Sequence, residues 1–406
     1  MVKRRPFKFW WFVLLVVAAT VPRLPAVPAA FTIDDPWLVE HAESSVGLGS
    51  SLIEAWPPGV YRPLVILHFD ACQAVFGSWA PGYHLVSIAV HTCVVLLVFL
   101  LSARLVGAGR PALCGALAFA LLPALNEAIA WAASVGDLWA SAFVIAAVML
   151  ALAAADRTGG PALWLWLFSL VAVLLGCAAK ETAVVASLFV PVAAWAFGRR
   201  RPAWGWTVAY PAVVIAYLGW YASRISGPGM TSMILGNPLR CLEKTVQNLA
   251  LTLVPIARNT VGDLLWGGQG PTVLLTVAVS VALGALIALA LHAGDRVAVY
   301  GWLWAIVAFM PVWRLPWGER YAYLPAVGLA LVVGAALTRL RTRRTTALTV
   351  AIVTVLVIFA VGSILSAAFW TLQVGRYQNR SNIAAQWKPA PNAVSSTRSP
   401  LLTRPC

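Results

Sequence analysis

Apolar runs long enough to cross a lipid bilayer recur from one end of this chain to the other. A helix needs about 20 apolar residues to cross the hydrocarbon core, and in lipid every backbone polar group must find its partner within the protein. Charged residues make up 11% of the 406 residues, whereas soluble domains carry about 25%. The sequence therefore predicts an all-α polytopic membrane protein.

The apolar runs predict about eleven transmembrane helices. The first run follows a basic N-terminus and resembles a signal peptide, and we interpret it as an uncleaved signal anchor because further spans follow. The expected spans are Phe9–Val21, Tyr83–Leu105, Pro111–Leu122, Leu138–Ala155, Ala162–Ala178, Thr182–Phe197, Trp204–Tyr221, Val273–His292, Val297–Val312, Tyr323–Thr338 and Ala347–Phe369.

The distribution of charge predicts the orientation of these spans. If the N-terminus lies in the cytoplasm, every inward loop is basic, as the positive-inside rule requires. The inward basic residues are Arg104, Arg110, Arg157, Arg199, Arg200, Arg201, Arg296, Arg339, Arg341, Arg343 and Arg344. Of the 14 acidic residues, only Asp156 and Asp295 fall in inward loops. The other acidic residues and the C-terminus are therefore expected on the extracytoplasmic side.

The net charge of +15 does not indicate a nucleic-acid partner, because the basic residues sit in short loops between apolar runs rather than on one soluble face. We expect a single transmembrane domain over residues 1–375. The remaining residues, 376–406, are rich in Pro, Ser and Asn and are expected to form a short, disordered extracytoplasmic tail. The six cysteines have no close paired spacing and predict neither a metal site nor a disulfide framework.

Two of the extracytoplasmic loops are long, at about residues 23–82 and 222–272. Stretches within them are too short or too mixed in polarity to span the membrane. The two clearest are Pro63–Phe76 and Arg240–Ile256, which we expect to lie as helices at the membrane interface.

Charged residues at the membrane edge are the candidates for chemistry, because an ionised group costs roughly 2.5–3.5 kcal/mol at a helix centre. Asp34 and Asp35 follow the first span. Two adjacent carboxylates suit general-base catalysis or a divalent cation, and they equally suit the solvated start of a loop. Arg62, beside Tyr61, suits a phosphate or anchors an interfacial helix.

Further charged clusters are expected on the same side of the membrane. Their members are Asn126, Glu127, Asp137, Lys180, Glu181, Glu319 and Arg320. Each of these residues also has a purely structural interpretation, because buried acids bind helix ends and adjacent opposite charges satisfy each other. His84 and His91 lie two helical turns apart without further His or Cys, which is a poor metal site.

Six motifs, in this order, carry a family resemblance. They are Asp34-Asp35, Tyr61-Arg62-Pro63-Leu64, Gly82-Tyr83-His84 up to His91, Leu122-Pro123-Ala124-Leu125-Asn126-Glu127-Ala128-Ile129-Ala130-Trp131, Ala179-Lys180-Glu181-Thr182 and Glu319-Arg320-Tyr321-Ala322-Tyr323-Leu324-Pro325. The series resembles the membrane part of the transmembrane and tetratricopeptide-repeat O-mannosyltransferases and their bacterial relatives, up to about Gly328. Those are GT-C glycosyltransferases, which use polyprenyl-phosphate sugars. The chain departs from the family in lacking tetratricopeptide repeats and in having Val135-Gly136 where a basic residue usually precedes the acid.

The resemblance implies a GT-C fold and an enzyme that transfers a mannose-like hexose from a polyprenyl-phosphate donor to an extracytoplasmic acceptor. Asp34 or Asp35 would be the catalytic base. Arg62, Lys180 and Arg320 would meet the donor phosphate. The supporting or sugar-binding residues would be Tyr61, His84, Glu127, Asp137, Glu181 and Glu319. One base without an evident nucleophile implies inversion at the anomeric carbon.

The sequence leaves several alternatives open. A transporter or flippase of lipid-linked saccharides would also be polytopic, although charges at one interface beside a long outer loop favour an enzyme. A non-catalytic scaffold with the same fold is the third interpretation. The carrier lipid, the protein or glycan acceptor and a requirement for a divalent cation stay undetermined. The Ala/Arg-rich composition and short loops favour the inner (plasma) membrane of a bacterium.

Overall fold

The structure is a computed structural model that describes residues 8–44, 60–224, 292–313, 318–340 and 346–386, with a few isolated positions between 245 and 288. All regular secondary structure in these ranges is helical. The α-helices are α1 (Phe9–Thr20), α2 (Asp35–Ser44), α3 (Pro63–Phe76), α4 (Ala80–Val106), α5 (Arg110–Leu121), α6 (Asn126–Ala130), α7 (Val135–Ala155), α8 (Gly160–Ala179), α9 (Ala186–Phe197), α10 (Trp204–Arg224), α11 (Arg296–Val307), α12 (Tyr323–Leu340) and α13 (Thr346–Gln386).

Six helical segments in the described part of the chain are long and apolar enough to cross a membrane, and a bent helix pair makes a seventh. The chain is therefore a helical membrane protein. The six segments are Phe9–Ala26, Ala80–Val106, Ala132–Ala155, Gly160–Ala179, Glu319–Arg339 and Thr349–Gly375.

The expected number of eleven spans is not reached within the described residues. The predicted sixth and ninth spans coincide with the apolar helices Glu181–Phe197 and Arg296–Val312, which are shorter than the six segments above. The predicted eighth span, Val273–His292, lies almost entirely outside the described residues. The predicted seventh span is α10, whose Trp, Tyr and Pro residues give it a less apolar composition than the six.

The first span ends later than the sequence predicts. Beyond α1 the chain continues as a 3₁₀ helix over Val21–Ala26, with Pro22 at its start and Pro25 inside it. Because proline lacks an N–H and cannot continue α-helical hydrogen bonding, the tighter helix replaces the α-helix here. Arg23, expected at the start of an outer loop, instead lies inside this span and is buried.

The predicted third span, Pro111–Leu122, coincides with α5, and a sharp bend follows it directly. Helix α5 stops at Leu121, and the segment Pro123–Ala130 continues at an angle of 56° to it. Leu122 between them is extended, with φ −66° and ψ 118°, because a residue that precedes proline is kept out of the α region. The break turns Asn126 and Glu127 away from the axis of α5.

Glycines allow two pairs of helices to approach closely in the interior. A Cβ at Gly328 in α12 would lie 2.3 Å from the carbonyl oxygen of Gly301 in α11. A Cβ at Gly115 in α5 would lie 2.4 Å from the carbonyl oxygen of Ala330, also in α12. Small residues at such crossings are the usual means of packing helices in membranes. Helix α12 is thereby held between α5 and α11. Arg320 lies in the turn immediately before α12, so this packing also positions Arg320.

Loops that the sequence predicts to face the cytoplasm are joined by ion pairs. Arg104 donates to Asp156 at 2.6 Å, and Arg339 donates to Asp295 at 2.8 Å. Both acids predicted in inward loops thus have a basic partner from another inward loop. The pairs place these loops at common ends of their helices, as the predicted topology requires.

The long first loop contains the helix predicted at Pro63–Phe76 and a second helix, α2, that was not predicted. The other predicted interfacial stretch, Arg240–Ile256, falls almost entirely outside the described residues. Helix α13 runs to Gln386, so residues 376–386 of the predicted disordered tail are helical. This stretch has no proline or glycine to stop a helix, and the first proline after it is Pro389.

Candidate active site

Asp35 begins α2 and is completely buried. Its carboxylate accepts the backbone N–H of Thr32 at 3.0 Å and that of Ala133 at 2.7 Å. Burial raises the pKa of Asp35 to about 7, against the lowering effect of these two hydrogen bonds. Asp35 therefore ties the loop after the first span to the turn before α7.

Asp34 has a different environment from its neighbour. It is partly exposed and lines a small pocket of about 90 Å³ together with Arg62. The other residues that line this pocket are Trp37, Leu38, Val60, Val65, Ile66 and Ala133. Of the two predicted bases, Asp34 is thus the carboxylate that a molecule in the pocket can reach.

Arg62 precedes α3 and binds Glu181 with two nitrogens. Its Nε donates to Oε2 at 2.9 Å and its Nη2 donates to Oε1 at 2.5 Å. Both side chains keep some exposure, at 30% for Arg62 and 24% for Glu181. This side-on arrangement uses one edge of the guanidinium and does not involve Nη1.

Lys180 and Asp137 form a buried pair. The Nζ of Lys180 donates to Asp137 Oδ2 at 2.5 Å, and the two side chains are only 6% and 5% exposed. Helices α7 and α8 approach closely enough for this contact because residue 136 is glycine, whose Cβ would lie 2.9 Å from the carbonyl oxygen of Ala179. Gly136 is therefore the residue that admits this pair.

Arg320 lies in the 3₁₀ turn Glu319–Ala322 before α12 and is held by Glu127. Its Nη1 donates to Glu127 Oε1, and its backbone N–H donates to Oε2 at 3.2 Å. The guanidinium also lies 4.7 Å from the ring centroid of Trp131 and 4.6 Å from that of Tyr321. Charge pairing and two aromatic faces fix its orientation.

The structure brings these groups into one connected site. The ring of Tyr321 contacts Arg320 and also lies 5.2 Å from Lys180 Nζ. Lys180 and Glu181 are consecutive in the chain, which joins the Asp137 pair to the Arg62 pair. The three predicted phosphate-binding cations are each neutralised by a carboxylate, so the three pairs together carry no net charge.

The remaining predicted site residues surround this network. Tyr61 is buried, and its hydroxyl accepts from Trp220 Nε1 at 3.2 Å. His84 is buried in α4, where its Nε2 donates to the carbonyl oxygen of Ala29, just before the acidic pair. Glu319 is buried at the start of its 3₁₀ turn. His84 thus contacts the loop that carries the acidic pair and not the pocket.

No three His, Cys, Asp or Glu side chains come together as a metal site within the described ranges. The sequence analysis did not single out Arg23, which is buried and binds oxygens around the break after α5. The available signal was a lone arginine within an apolar stretch that runs from Phe9 to Ala30. Retained charges of that kind usually have a partner.

Part of the chain is similar to a curated protein. Protein O-mannosyl-transferase Tmtc1 of Drosophila melanogaster is 30% identical to it over 141 residues. That match covers 34% of this chain, which spans only 16% of the relative's length. No protein-family model matches the chain, and no solved structure matches it significantly. Over about a third of its length, the chain therefore resembles a protein named as an O-mannosyl-transferase.

Proposed function

We propose that the protein is a membrane glycosyltransferase that transfers a mannose-like hexose from a polyprenyl-phosphate donor to an acceptor hydroxyl. The observation that carries this proposal is the pocket in which the accessible Asp34 faces the same space as Arg62. A base and a phosphate-binding cation on one small cavity are what sugar transfer from a lipid phosphate requires. The partial similarity to an O-mannosyl-transferase supports the same reaction class.

Asp34 is the base in this proposal, and Asp35 positions it. The raised pKa of Asp35 would suit a general base, but both of its oxygens accept backbone N–H groups and the side chain is fully buried. Accessibility outweighs pKa in the choice between the two aspartates, because a base must come within hydrogen-bond reach of the proton that it removes. Asp35 holds the loop so that Asp34 faces the pocket.

The reaction is a single displacement. Asp34 takes the proton of the acceptor hydroxyl as its oxygen attacks the anomeric carbon. The bond between that carbon and the phosphate oxygen breaks, and its electron pair leaves with the polyprenyl phosphate. The configuration at the anomeric carbon is inverted, because one bond forms on the face opposite to the bond that breaks.

Arg62 and Arg320 stabilise the departing phosphate. Both are partly exposed, at 30% and 24%, whereas Lys180 is 6% exposed. Lys180 therefore does not contact the phosphate directly in the resting site and acts through its ion pair with Asp137. Cations held in place before the reaction stabilise developing charge without reorganisation, which is the source of their catalytic effect.

The proposal places the site on the extracytoplasmic face of a GT-C-like domain with about eleven spans and a cytoplasmic N-terminus. The carrier is then a membrane lipid whose phosphate lies at headgroup level, and the acceptor is a protein or glycan outside the cytoplasm. The basic inward loops and the Ala/Arg-rich composition support the plasma membrane of a bacterium as the location.

The test uses the purified protein in lipid nanodiscs with radiolabelled polyprenyl-phosphate mannose and a membrane extract as the acceptor source. Asp34→Asn is expected to lower release of mannose from the lipid by about 10²–10⁴-fold with folding retained. Glu40→Gln, at an exposed acid in the helix α2 that follows Asp34, is the matched control and is expected to keep wild-type turnover.

Two results would overturn the proposal. If Asp35→Asn abolished transfer while Asp34→Asn did not, the assignment of the base would be wrong. If no lipid-linked hexose were turned over and the labelled lipid instead crossed the bilayer in reconstituted vesicles, the protein would be a flippase.

A further inference from the structure

Arg23 lies near the end of the first span, is 1% exposed, and pairs with no carboxylate in the described part of the chain. All its partners are oxygens around the break in the bent span. Its Nη2 donates to the carbonyl oxygens of Ala120 at 3.0 Å and Leu122 at 3.1 Å, and its Nη1 donates to Asn126 Oδ1. A buried cation is costly in this environment, so these contacts have to stabilise it.

The break explains why a cation is stable there. The last carbonyls of a helix have no intrahelical partner, and they carry the negative end of the helix dipole. At the end of α5 these carbonyls are bound by side chains from other elements. Arg23 binds two of them, and Ser363 of α13 donates its hydroxyl to the carbonyl oxygen of Leu121 at 2.7 Å. We call Arg23, Asn126, Ser363 and these three carbonyls the Arg23 cluster.

The Arg23 cluster is one residue away from the candidate active site. Asn126 accepts from Arg23 and donates its Nδ2 to the carbonyl oxygen of Ser363 at 2.9 Å. The next residue, Glu127, binds Arg320 through both the guanidinium and the backbone N–H. Asn126 and Glu127 begin a helix of only five residues, α6, so a displacement of one shifts the other.

We propose that Arg23 is a positioning residue for Arg320 and acts through Asn126 and Glu127. This inference rests on the proposed function in that Arg320 is taken to bind the donor phosphate. Arg23 fixes the angle at which α6 leaves the break, and that angle sets where Glu127 holds the guanidinium. Helix α13 takes part, because Ser363 binds the carbonyl oxygen of Leu121, which lies between the two residues whose carbonyls Arg23 binds.

Two substitutions separate positioning from folding. Arg23→Met removes the charge and every hydrogen bond. Arg23→Lys keeps a cation that can bind the carbonyls of Ala120 and Leu122, but a single ammonium cannot also reproduce the fork that reaches Asn126. Arg23→Lys is therefore expected to fold like the wild type and still misplace Arg320. The matched control is Tyr300→Phe, which removes a different buried hydrogen bond, to the carbonyl oxygen of Phe189.

The first measurement needs no substrate. Hydrogen exchange of the Arg320 amide, which Glu127 protects, is followed by mass spectrometry in nanodiscs. Both Arg23 variants are expected to exchange about tenfold faster over residues 318–323, and Tyr300→Phe is expected to match the wild type there. Unchanged exchange in a folded Arg23→Lys protein would overturn the inference.

The second measurement is the kinetics with polyprenyl-phosphate mannose. Arg23→Lys is expected to lower kcat/KM for the donor about tenfold, with most of the loss in kcat, because a misplaced Arg320 no longer stabilises the charge that develops on the departing phosphate. In a double variant with Glu127→Gln, Arg23→Lys should cause no further loss of kcat/KM. In a double variant with Arg62→Lys, the two fold-losses in kcat/KM should multiply. Multiplication in both pairs would overturn the proposed route through Glu127.

The two measurements also separate this inference from the proposed function. Faster exchange at Arg320 without any turnover by the wild type would support the link between Arg23 and Arg320 and reject the glycosyltransferase. Unchanged exchange at Arg320 in the Arg23 variants, together with turnover by the wild type, would support the glycosyltransferase and reject the link between Arg23 and Arg320.

Discussion

Asp34 and Asp35 are the same residue type at adjacent positions, and their surroundings separate them. Asp35 is completely buried with backbone N–H groups on both oxygens, and Asp34 faces a pocket. A buried carboxylate resists ionisation because the charged form loses its hydration. The pair therefore contains one side chain that lines the pocket beside one whose pKa is raised by burial to about 7.

The pH dependence of stability tests this difference. The pKa of Asp35 is about 7 in the folded protein, against a usual value of 3.8 in an unfolded chain. The stabilisation by the bound proton is therefore complete below pH 3.8 and is lost as the pH rises to 7. We expect wild type to lose up to about 1.4 kcal/mol of unfolding free energy per pH unit relative to Asp35→Asn in this interval.

Chemical unfolding followed by tryptophan fluorescence at pH 4.5, 5.5, 6.5 and 7.5 would measure this loss. Comparing the two proteins at each pH cancels the other titrating groups. Parallel pH profiles for wild type and Asp35→Asn would contradict a raised pKa at this position.

At the scale of helices, the close approach of α7 and α8 brings Asp137 to Lys180. Gly136 is the point of contact, since its Cβ would lie 2.9 Å from the Ala179 carbonyl oxygen and 3.0 Å from the side chain of Val65. The Ala179 carbonyl oxygen belongs to the backbone of α8, so it can move away from a Cβ at residue 136 only if the helix itself shifts. The pair itself is buried, so removal of one partner leaves an uncompensated charge.

Gly136→Ala is expected to destabilise the protein by about 1–3 kcal/mol, because overpacking forces the two helices apart. Gly219→Ala in α10 is the control, since a Cβ there meets no atom of the described residues within 4 Å. The control should be neutral or more stable by up to about 1 kcal/mol, as alanine favours helix. The melting temperatures of both variants and the wild type, measured in the same detergent, would test these two expectations. Equal melting temperatures would show that the helices accommodate the methyl group.

The sequence predicted helices better than it predicted their interruptions. Hydrophobic runs located α4, α7 and α8 nearly to their ends, because lipid exposure demands an apolar surface over the whole span. The break after α5 was not predicted, because Pro123 signals an interruption but not the 56° angle or its partners. The partners of Arg23 come from residues about 100 or more positions away, which no local pattern encodes.

The candidate site shows the same limit. Charge at membrane edges pointed to Arg62, Lys180 and Arg320, and the structure does bring their clusters together. Their pairing with Glu181, Asp137 and Glu127 could not be predicted, because two of the three pairs join segments more than 100 residues apart. Which of the adjacent aspartates faces the pocket also depends on the turn before α7.

At the scale of the whole molecule, the ion pairs of the described residues form two groups at opposite ends of helices such as α7 and α12. The acids of the predicted inward loops are bound by Arg104 and Arg339, and the site acids lie around the opposite helix ends. The positive-inside rule predicts that the end with the basic loops faces the cytoplasm.

Cysteine labelling tests this orientation in intact cells. In a background without the six native cysteines, Ser78→Cys is expected to react with a membrane-impermeant maleimide, because it is exposed between α3 and α4. Arg157→Cys, exposed between α7 and α8, should react only after the membrane is permeabilised. The reverse pattern would invert the topology and place the site in the cytoplasm.

If the donor is the lipid-linked sugar that we propose, the Arg62–Glu181 pair has a consequence for selectivity. Phospholipid phosphates crowd the layer in which a lipid-linked sugar presents its own, and a bare arginine would collect them indiscriminately. Glu181 occupies the guanidinium edge like a resident counterion. An arriving phosphate has to displace or share this carboxylate, so weak ligands are screened out. In the proposed reaction, a lipid whose sugar makes additional contacts in the pocket would gain enough binding free energy to complete this exchange.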